Sequence, residues 1–226
     1  IKDKEVRVLI PIHNRALIPI HDTDYWLNRS LDDLYKDWDY PGNLIESYWE
    51  SYKHPHRKLI LDALKSLEPF GRLLEVGCSC GPNLNLIQQA YRGVYLAGID
   101  VDSRLIEKGQ SELRTMDLRV GNVTKLPWDT KSFDIILADA VLMYLNPDEI
   151  RIALDEIDRV ARKAVIIVDR FDESLTGERN GNVWARNYPE LLKNYGFEVK
   201  ETKIRKSEWP KSESWQKYGY LFIAHK

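Results

Sequence analysis

The residues with the clearest chemical reach lie in one stretch, Leu73-Leu74-Glu75-Val76-Gly77-Cys78-Ser79-Cys80-Gly81-Pro82-Asn83, followed by a helical run from Leu84 to Ala90. An apolar strand ends there in a tight turn. Gly77 and Gly81 remove side chains, so backbone can approach a ligand closely before a helix begins. A second apolar run closes on Gly98-Ile99-Asp100. An acid roughly 20 residues past such a turn can accept hydrogen bonds from both hydroxyls of a ribose. Together the two features predict a nucleoside-containing cofactor. A dinucleotide fingerprint needs glycines at its first, third and sixth places, where a pyrophosphate meets the helix N-terminus. Here the third and sixth places after Gly77 are Ser79 and Pro82. That weighs against NAD or FAD and leaves a dehydrogenase as a lesser alternative.

The elements that must position these residues are legible as periodic segments. Short apolar runs at Arg72 to Val76, Tyr95 to Asp100, Leu118 to Val120, Phe133 to Ala138 and Ala164 to Val168 predict strands covered on both faces. Amphipathic helical segments separate them, the signature of βαβ units and a parallel sheet. Asp102 or Ser103 can cap the helix through Leu113. Asn146-Pro147-Asp148-Glu149 combines a cap, a first-turn proline and two acids at the positive end of the helix dipole. Runs beginning at Gly196 and at Tyr218, with no helical pattern between, predict two antiparallel neighbours at the end of the chain. Composition changes near residue 58. Residues 1–57 hold Trp26, Trp38 and Trp49, four of the five histidines, and an acidic run from Asp22 to Asp39 that reads as a solvated face. The division expected is an aromatic cap or lid at 1–57 and one α/β domain at 58–226.

The pattern acid-x-Gly-x-x-x-Gly from Glu75 to Gly81, with the terminal antiparallel pair, resembles the class I S-adenosylmethionine-dependent methyltransferases of the small-molecule type. The resemblance spans about residues 55–226. It implies a Rossmann-like, doubly wound, seven-stranded sheet of order 3-2-1-4-5-7-6, mostly parallel with a C-terminal antiparallel strand, and S-adenosylmethionine as cofactor. By the same resemblance, Glu75, Gly77, Cys78 and Gly81 line the cofactor turn, Asp100 takes the ribose hydroxyls and Val101 packs on the adenine. Asn122 and Val123, in Gly121-Asn122-Val123-Thr124-Lys125-Leu126-Pro127-Trp128, hold the adenine edge, and Asp139 borders the methionine portion. Three positions depart from the family pattern. Ser79 replaces the middle glycine, Asn122 replaces the usual acid and can accept only through an uncharged amide oxygen, and Tyr144 stands where a histidine is frequent. The family builds its acceptor lid from the segment before the first strand. This places Tyr48-Trp49-Glu50-Ser51-Tyr52-Lys53-His54-Pro55-His56-Arg57 at the site, with a hydroxyl, titratable bases and a carboxylate partner.

Methyl transfer from a sulfonium is an in-line displacement in which the protein supplies alignment, desolvation and, for a hydroxyl acceptor, a base. His54, His56 and Asp139 are the candidate catalytic residues. Asp139-Ala140-Val141-Leu142 lacks the Asn/Asp-Pro-Pro-Tyr signature of amide and exocyclic-amine methylation. Neither cysteine is placed as the nucleophile of base-carbon methylation. The chain has 33 Lys plus Arg against 35 Asp plus Glu, a formal net charge of -2, which supplies no broad attraction for nucleic acid. A small-molecule, sugar or lipid-like acceptor is expected, transferring methyl to O or N. A tRNA or protein acceptor, or a catalytically silent partner subunit, are the alternatives. No metal is assigned, although Asp139, Asp169 and Asp172 could meet at adjacent strand ends. Cys78 and Cys80, one residue apart, suit neither a disulfide nor zinc and read as small residues in a crowded turn. Their place at a helix N-terminus would lower a thiol pKa. No apolar stretch reaches the ~18 residues of a membrane span, and the start lacks the apolar core of a secretory signal, so a cytoplasmic protein is expected. The first residue is Ile, as in a trimmed chain.

Overall fold

The computed structural model of the chain describes residues 26–27, 43–171, 179–180, 183–184 and 186–226. His13, His21, Trp38, the acidic run from Asp22 to Asp39, and Asp172 lie outside the described residues.

Five strands, β1 (Arg72–Val76), β2 (Tyr95–Asp100), β3 (Asp117–Val120), β4 (Phe133–Asp139) and β5 (Ala161–Arg170), run parallel. A two-residue ribbon, β6 (Arg179–Asn180) with β7 (Val183–Trp184), stands apart from the main sheet. Strands β8 (Glu198–Lys203) and β9 (Gly219–His225) complete the main sheet, whose order is β3-β2-β1-β4-β5-β9-β8. Counted within that sheet alone, the order is the expected 3-2-1-4-5-7-6. Strand β9 is antiparallel to both neighbours.

Alternation along the central strands divides the core between the two faces of the sheet. Leu74, Val76, Ile136, Ala138, Val165 and Ile167 turn to one face and meet helix α5 (Pro147–Val160) through Ile150, Ala153, Leu154, Ile157 and Val160. That spacing is a helical stripe. The helix starts at an Asn146 cap that accepts from the backbone of Asp148 and Glu149, while Glu149 returns a bond to Asn146, completing a capping box. Leu73, Ile135, Leu137, Ile166 and Val168 turn to the opposite face. Helices α2 (Arg57–Ser66), α3 (Pro82–Ala90) and α4 (Ser103–Glu112) cover it through Ile60, Leu64, Leu84, Ile87 and Ile106. Asp102 caps α4, accepting from Arg104 N. Before α2 lie α1 (Leu44–Glu50) and a 3-10 turn at Ser51–Lys53; after β7 comes α6 (Tyr188–Lys193).

One element departs from expectation. Between β8 and β9 the chain forms a helix, α7 (Glu213–Tyr218), capped by Ser212. It carries a single strongly buried side chain, Trp215, so no repeated apolar spacing betrays it in the sequence. The strand pair it joins is antiparallel as predicted. Among the described residues no helix is long and apolar enough to cross a membrane.

The turn after β1 depends on close approach. Gly77 has φ +66°, and a Cβ there would sit 2.2 Å from Val141 Cγ2. On β2, Gly98 leaves the space that the Cys78 thiol occupies, since a Cβ would lie 2.6 Å from Sγ. Gly77→Ala should therefore destabilise the protein by about 2–4 kcal/mol, combining a left-handed backbone penalty with overpacking. Adding Val141→Ala should recover the steric share and leave the backbone share. Urea denaturation of the two single variants and the double variant measures that split.

Candidate functional site

Strand order places the site. From β1 the chain moves outward to β2 and β3, then returns to β4 on the other side of β1. In open α/β sheets such a reversal leaves a crevice beyond the C-terminal strand ends, where ligands bind. Glu75 near the end of β1, Asp100 at the end of β2 and Asp139 at the end of β4 all stand on this edge.

The turn over the crevice is a run of left-handed residues. Gly77, Ser79 and Gly81 have φ of +66°, +52° and +85°. Ser79 thus adopts the conformation that the missing glycine would have supplied. Its N–H donates to Asp100 Oδ2 at 2.8 Å, and Asp102 N–H donates to Asp100 Oδ1 at 3.0 Å. These bonds hold the carboxylate across the turn. Val101 follows, half-buried. Val123 is buried, and Asn122 Oδ1 accepts both the N–H and the O–H of Thr124 at 3.0 Å. Its amide oxygen therefore closes its own loop, and an adenine amino group would compete with Thr124 for it.

The cysteine expectation is corrected. Burial raises Cys78 well above the usual thiol value and pushes Cys80 up to about 12. Desolvation outweighs the helix terminus, so both stay protonated and unreactive at neutral pH.

Beneath the turn lies a buried polar cluster. Asn83, in the first turn of α3, donates one amide hydrogen to Glu75 Oε1 (2.6 Å) and the other to Asp139 Oδ2 (2.9 Å). Arg57, only 6% exposed, donates to Asn83 Oδ1, to Asp139 Oδ2 (3.2 Å), and to the carbonyl and hydroxyl of Ser51 (2.7 Å each). His56 Nε2 reaches Asp139 Oδ2 at 2.9 Å, and His56 Nδ1 lies 2.6 Å from His54 Nδ1. The three candidate catalytic residues thus form one hydrogen-bonded chain. Trp209 closes it from the side. Its ring lies 4.4 Å from His56, 4.7 Å from His54 and 4.0 Å from Trp215, with which it is parallel.

Electrostatics follow from burial and pairing. Burial would raise the Asp139 carboxyl, but the N–H of His56, the Arg57 charge and the Asn83 amide outweigh it and hold it well below the usual range. Burial likewise dominates at His56, which sits below the usual histidine value despite the pull of Asp139. A neutral His56 gives its Nε2–H to Asp139 and leaves Nδ1 to accept from His54. Glu75 is pushed up to about 8, chiefly by burial and partly by Asp139, with Asn83 and Arg57 opposing. Two carboxylate oxygens of this cluster, Glu75 Oε2 and Asp139 Oδ1, are buried with no hydrogen-bond partner among the described residues. A buried acceptor left unpaired costs about 1–3 kcal/mol, and such atoms commonly mark the place of a bound group. Unpaired acceptors beside a glycine turn and a ribose-type acid fit a nucleoside cofactor that carries a cationic nitrogen.

The metal reading is corrected at Asp169. It is fully buried, and its oxygens accept from Met143 N, Tyr188 Oη and Arg170 N at 2.8–2.9 Å. It anchors the loop after β4 instead of turning to Asp139. No group of three His, Cys, Asp or Glu side chains suited to a metal occurs among the described residues.

Sequence reasoning did not give Asn83, Ser51 or Trp209 a role at the site; it read Trp209 as packing. The signal for Asn83 was a polar residue beside Leu84 in the first turn of a helix whose other inward positions are apolar; Ser51 and Trp209 left no such mark.

Comparison with known proteins bears on the fold. Residues 74–168 match the family named Methyltransferase domain. A Haemophilus influenzae protein, described only as an uncharacterized protein, is 28% identical over 97 residues, covering 40% of this chain and 38% of that protein. The chain thus matches less than half the length of that relative. Magnesium protoporphyrin IX methyltransferase of Synechocystis, solved with bound SAH, superposes with a TM-score of 0.65 at 13% identity, covering 90% of this chain and 97% of that one. A Pyrococcus horikoshii protein gives 0.62 at 18% identity, covering 85% and 95%. The fold is that of the class I S-adenosylmethionine-dependent methyltransferases. The family match lies within residues 74–168, the part of the chain that runs from within β1 through β2 and β4.

Two outcomes are expected. Arg57→Met should cost about 3–5 kcal/mol, because a buried carboxylate loses its counter-charge, and Arg57→Lys should recover little, because an ammonium cannot serve Ser51, Asn83 and Asp139 together. Ser79→Gly should stabilise by up to about 1 kcal/mol by relieving the left-handed side chain. Chemical denaturation at pH 7 reads both.

Proposed function

We propose that the protein binds S-adenosylmethionine across the C-terminal ends of β1, β2 and β4 and transfers its methyl group to oxygen or nitrogen of a small-molecule, sugar or lipid-like acceptor. The observation that carries this reading is the position of Asp139. One of its oxygens is buried with no hydrogen-bond partner among the described residues, at the strand end that borders the crevice, and the other ends the His56–His54 chain. Cofactor wall and candidate base therefore share a single carboxylate.

When bound, the cofactor supplies an electrophilic methyl group. The protein supplies placement and proton transfer. Asp100 holds the ribose hydroxyls, Val101 packs on the adenine, and Asn122 and Val123 border its edge. The backbone of Gly77, Cys78 and Gly81 leaves room above β1. An acceptor hydroxyl or amine gives its proton to the histidine pair, and Asp139 keeps His56 oriented and stabilises the charge that develops on the imidazoles. The near-balanced charge of the chain and the alternating Lys and Glu residues along β8 favour a small acceptor over nucleic acid.

The segment before β1 serves as the lid in this reading. Ser51 is tied to Asp139 through Arg57, and Glu46 on α1 pairs with Lys108 on α4 at 3.1 Å. Trp26 meets Tyr144 edge-on at 4.8 Å, and the carbonyls of Trp26 and Leu27 accept from Arg104. Contacts from both ends of the segment thus converge on the strand ends around the crevice.

Calorimetry with S-adenosylmethionine tests the reading. Binding is expected for the unmodified protein, weakened about 10- to 100-fold in Asp100→Ala, the loss of one charge-assisted hydrogen bond or two. His56→Gln should bind the cofactor within a few fold. In assays of S-adenosylhomocysteine formation with phenol, alcohol and amine acceptors it should lose 10²-fold or more. No binding at millimolar cofactor would favour a catalytically silent subunit.

A further inference from the structure

The Glu75 carboxyl group is placed where a cofactor would change its charge. It is 2% exposed, with Oε1 on the Asn83 amide and Oε2 unpartnered. The groups facing it are Asn83 from α3, Asp139 from β4, Arg57 from α2, Asp100 from β2 and Cys78 of the turn. Arg57 is the one charged cation facing it among the described residues, and its guanidinium is bonded to Asp139. His56, the other basic group on Asp139, is held neutral by burial. With Glu75 and Asp139 both ionised, Arg57 alone would face two buried carboxylates, with Asp100 adding further negative charge nearby, a costly arrangement. With Glu75 protonated, Arg57 and Asp139 balance each other.

We propose that Glu75 holds a proton while the crevice is empty and releases it when a cationic nitrogen of the ligand lodges between Glu75 Oε2 and Asp139 Oδ1, so that cofactor binding expels one proton. This rests on the methyltransferase reading above, in which the ligand brings an ammonium group. No covalent step is involved: the O–H proton of Glu75 passes to solvent, and the incoming N–H groups occupy the two unpaired oxygens. The position of Glu75 near 8 agrees with a proton retained at pH 7. The sign of the linkage follows. A site that must lose a proton to bind gains affinity as pH rises, tenfold per unit, until the pH passes the value of the empty site.

The test is titration calorimetry of the full chain with S-adenosylmethionine at pH 7 in phosphate and in Tris, whose heats of protonation differ widely. It is repeated by affinity measurements between pH 6 and 7.5. Close to one proton should be released per ligand bound, and affinity should rise nearly tenfold per pH unit. Glu75→Gln, which keeps an oxygen for Asn83, should bind S-adenosylmethionine with no proton release and with less than twofold change over the same range. Equal heats in both buffers for the unmodified protein, or a proton release that persists in Glu75→Gln, would overturn the proposal while leaving the methyltransferase reading intact. Failure of the unmodified protein to bind S-adenosylmethionine at millimolar concentration would overturn that reading, and this inference with it.

Discussion

Everything at the site depends on how one buried carboxylate, Asp139, is kept ionised inside an α/β core. Its Oδ2 collects three donors, from the neighbours His56 and Arg57 ahead of β1 and from Asn83 at the start of α3. A desolvated charge is stable only with a partner and with its hydrogen bonds made. Those three donors therefore fix where the pre-strand segment, the start of α3 and the end of β4 stand relative to one another. The second oxygen is buried with no hydrogen-bond partner among the described residues.

The same constraint explains why the crevice lies where it does. The sheet reverses its winding between β1 and β4, so these two strand ends have no connection lying over them. Glu75 and Asp139 occupy that gap, and Gly77 admits Val141 across it. The aromatic wall of Trp209 on Trp215 comes from the loop before β9 and from α7, elements appended to the first five strands. In the proposed function the α/β scaffold supplies the cofactor side, and the segments before β1 and around α7 supply the acceptor side. Such a division lets one fold serve many acceptors, because the outer segments can change while the turn and the strand ends stay as they are.

Much of this was readable in the chain. The bounds of β1 and β2 follow from apolar runs ending in Gly77 and Asp100, and the start of α5 follows from Asn146-Pro147-Asp148-Glu149, because caps and turns are local chemistry. Asp100 was recognisable by its distance from the glycine turn. Helix α7 was not, since one buried tryptophan in six residues makes no period. The cysteines misled because a helix terminus is visible in sequence whereas the depth of burial opposing it is not.

The sequence alone determined the alternation of the first five strands with helices, the turn that suits a nucleoside cofactor, and the residue types available for proton transfer. These rest on periodicity, backbone permissiveness and spacing within some 25 residues. Tertiary structure decided which of those residues act together. Arg57 and Asp139 are 82 positions apart, His56 and Asp139 are 83, and Glu75 meets Asn83 only because α3 folds back on β1. Whether a histidine is neutral or a glutamate protonated is set by desolvation and by neighbours brought in from afar. Neither quantity exists until the chain has closed around them.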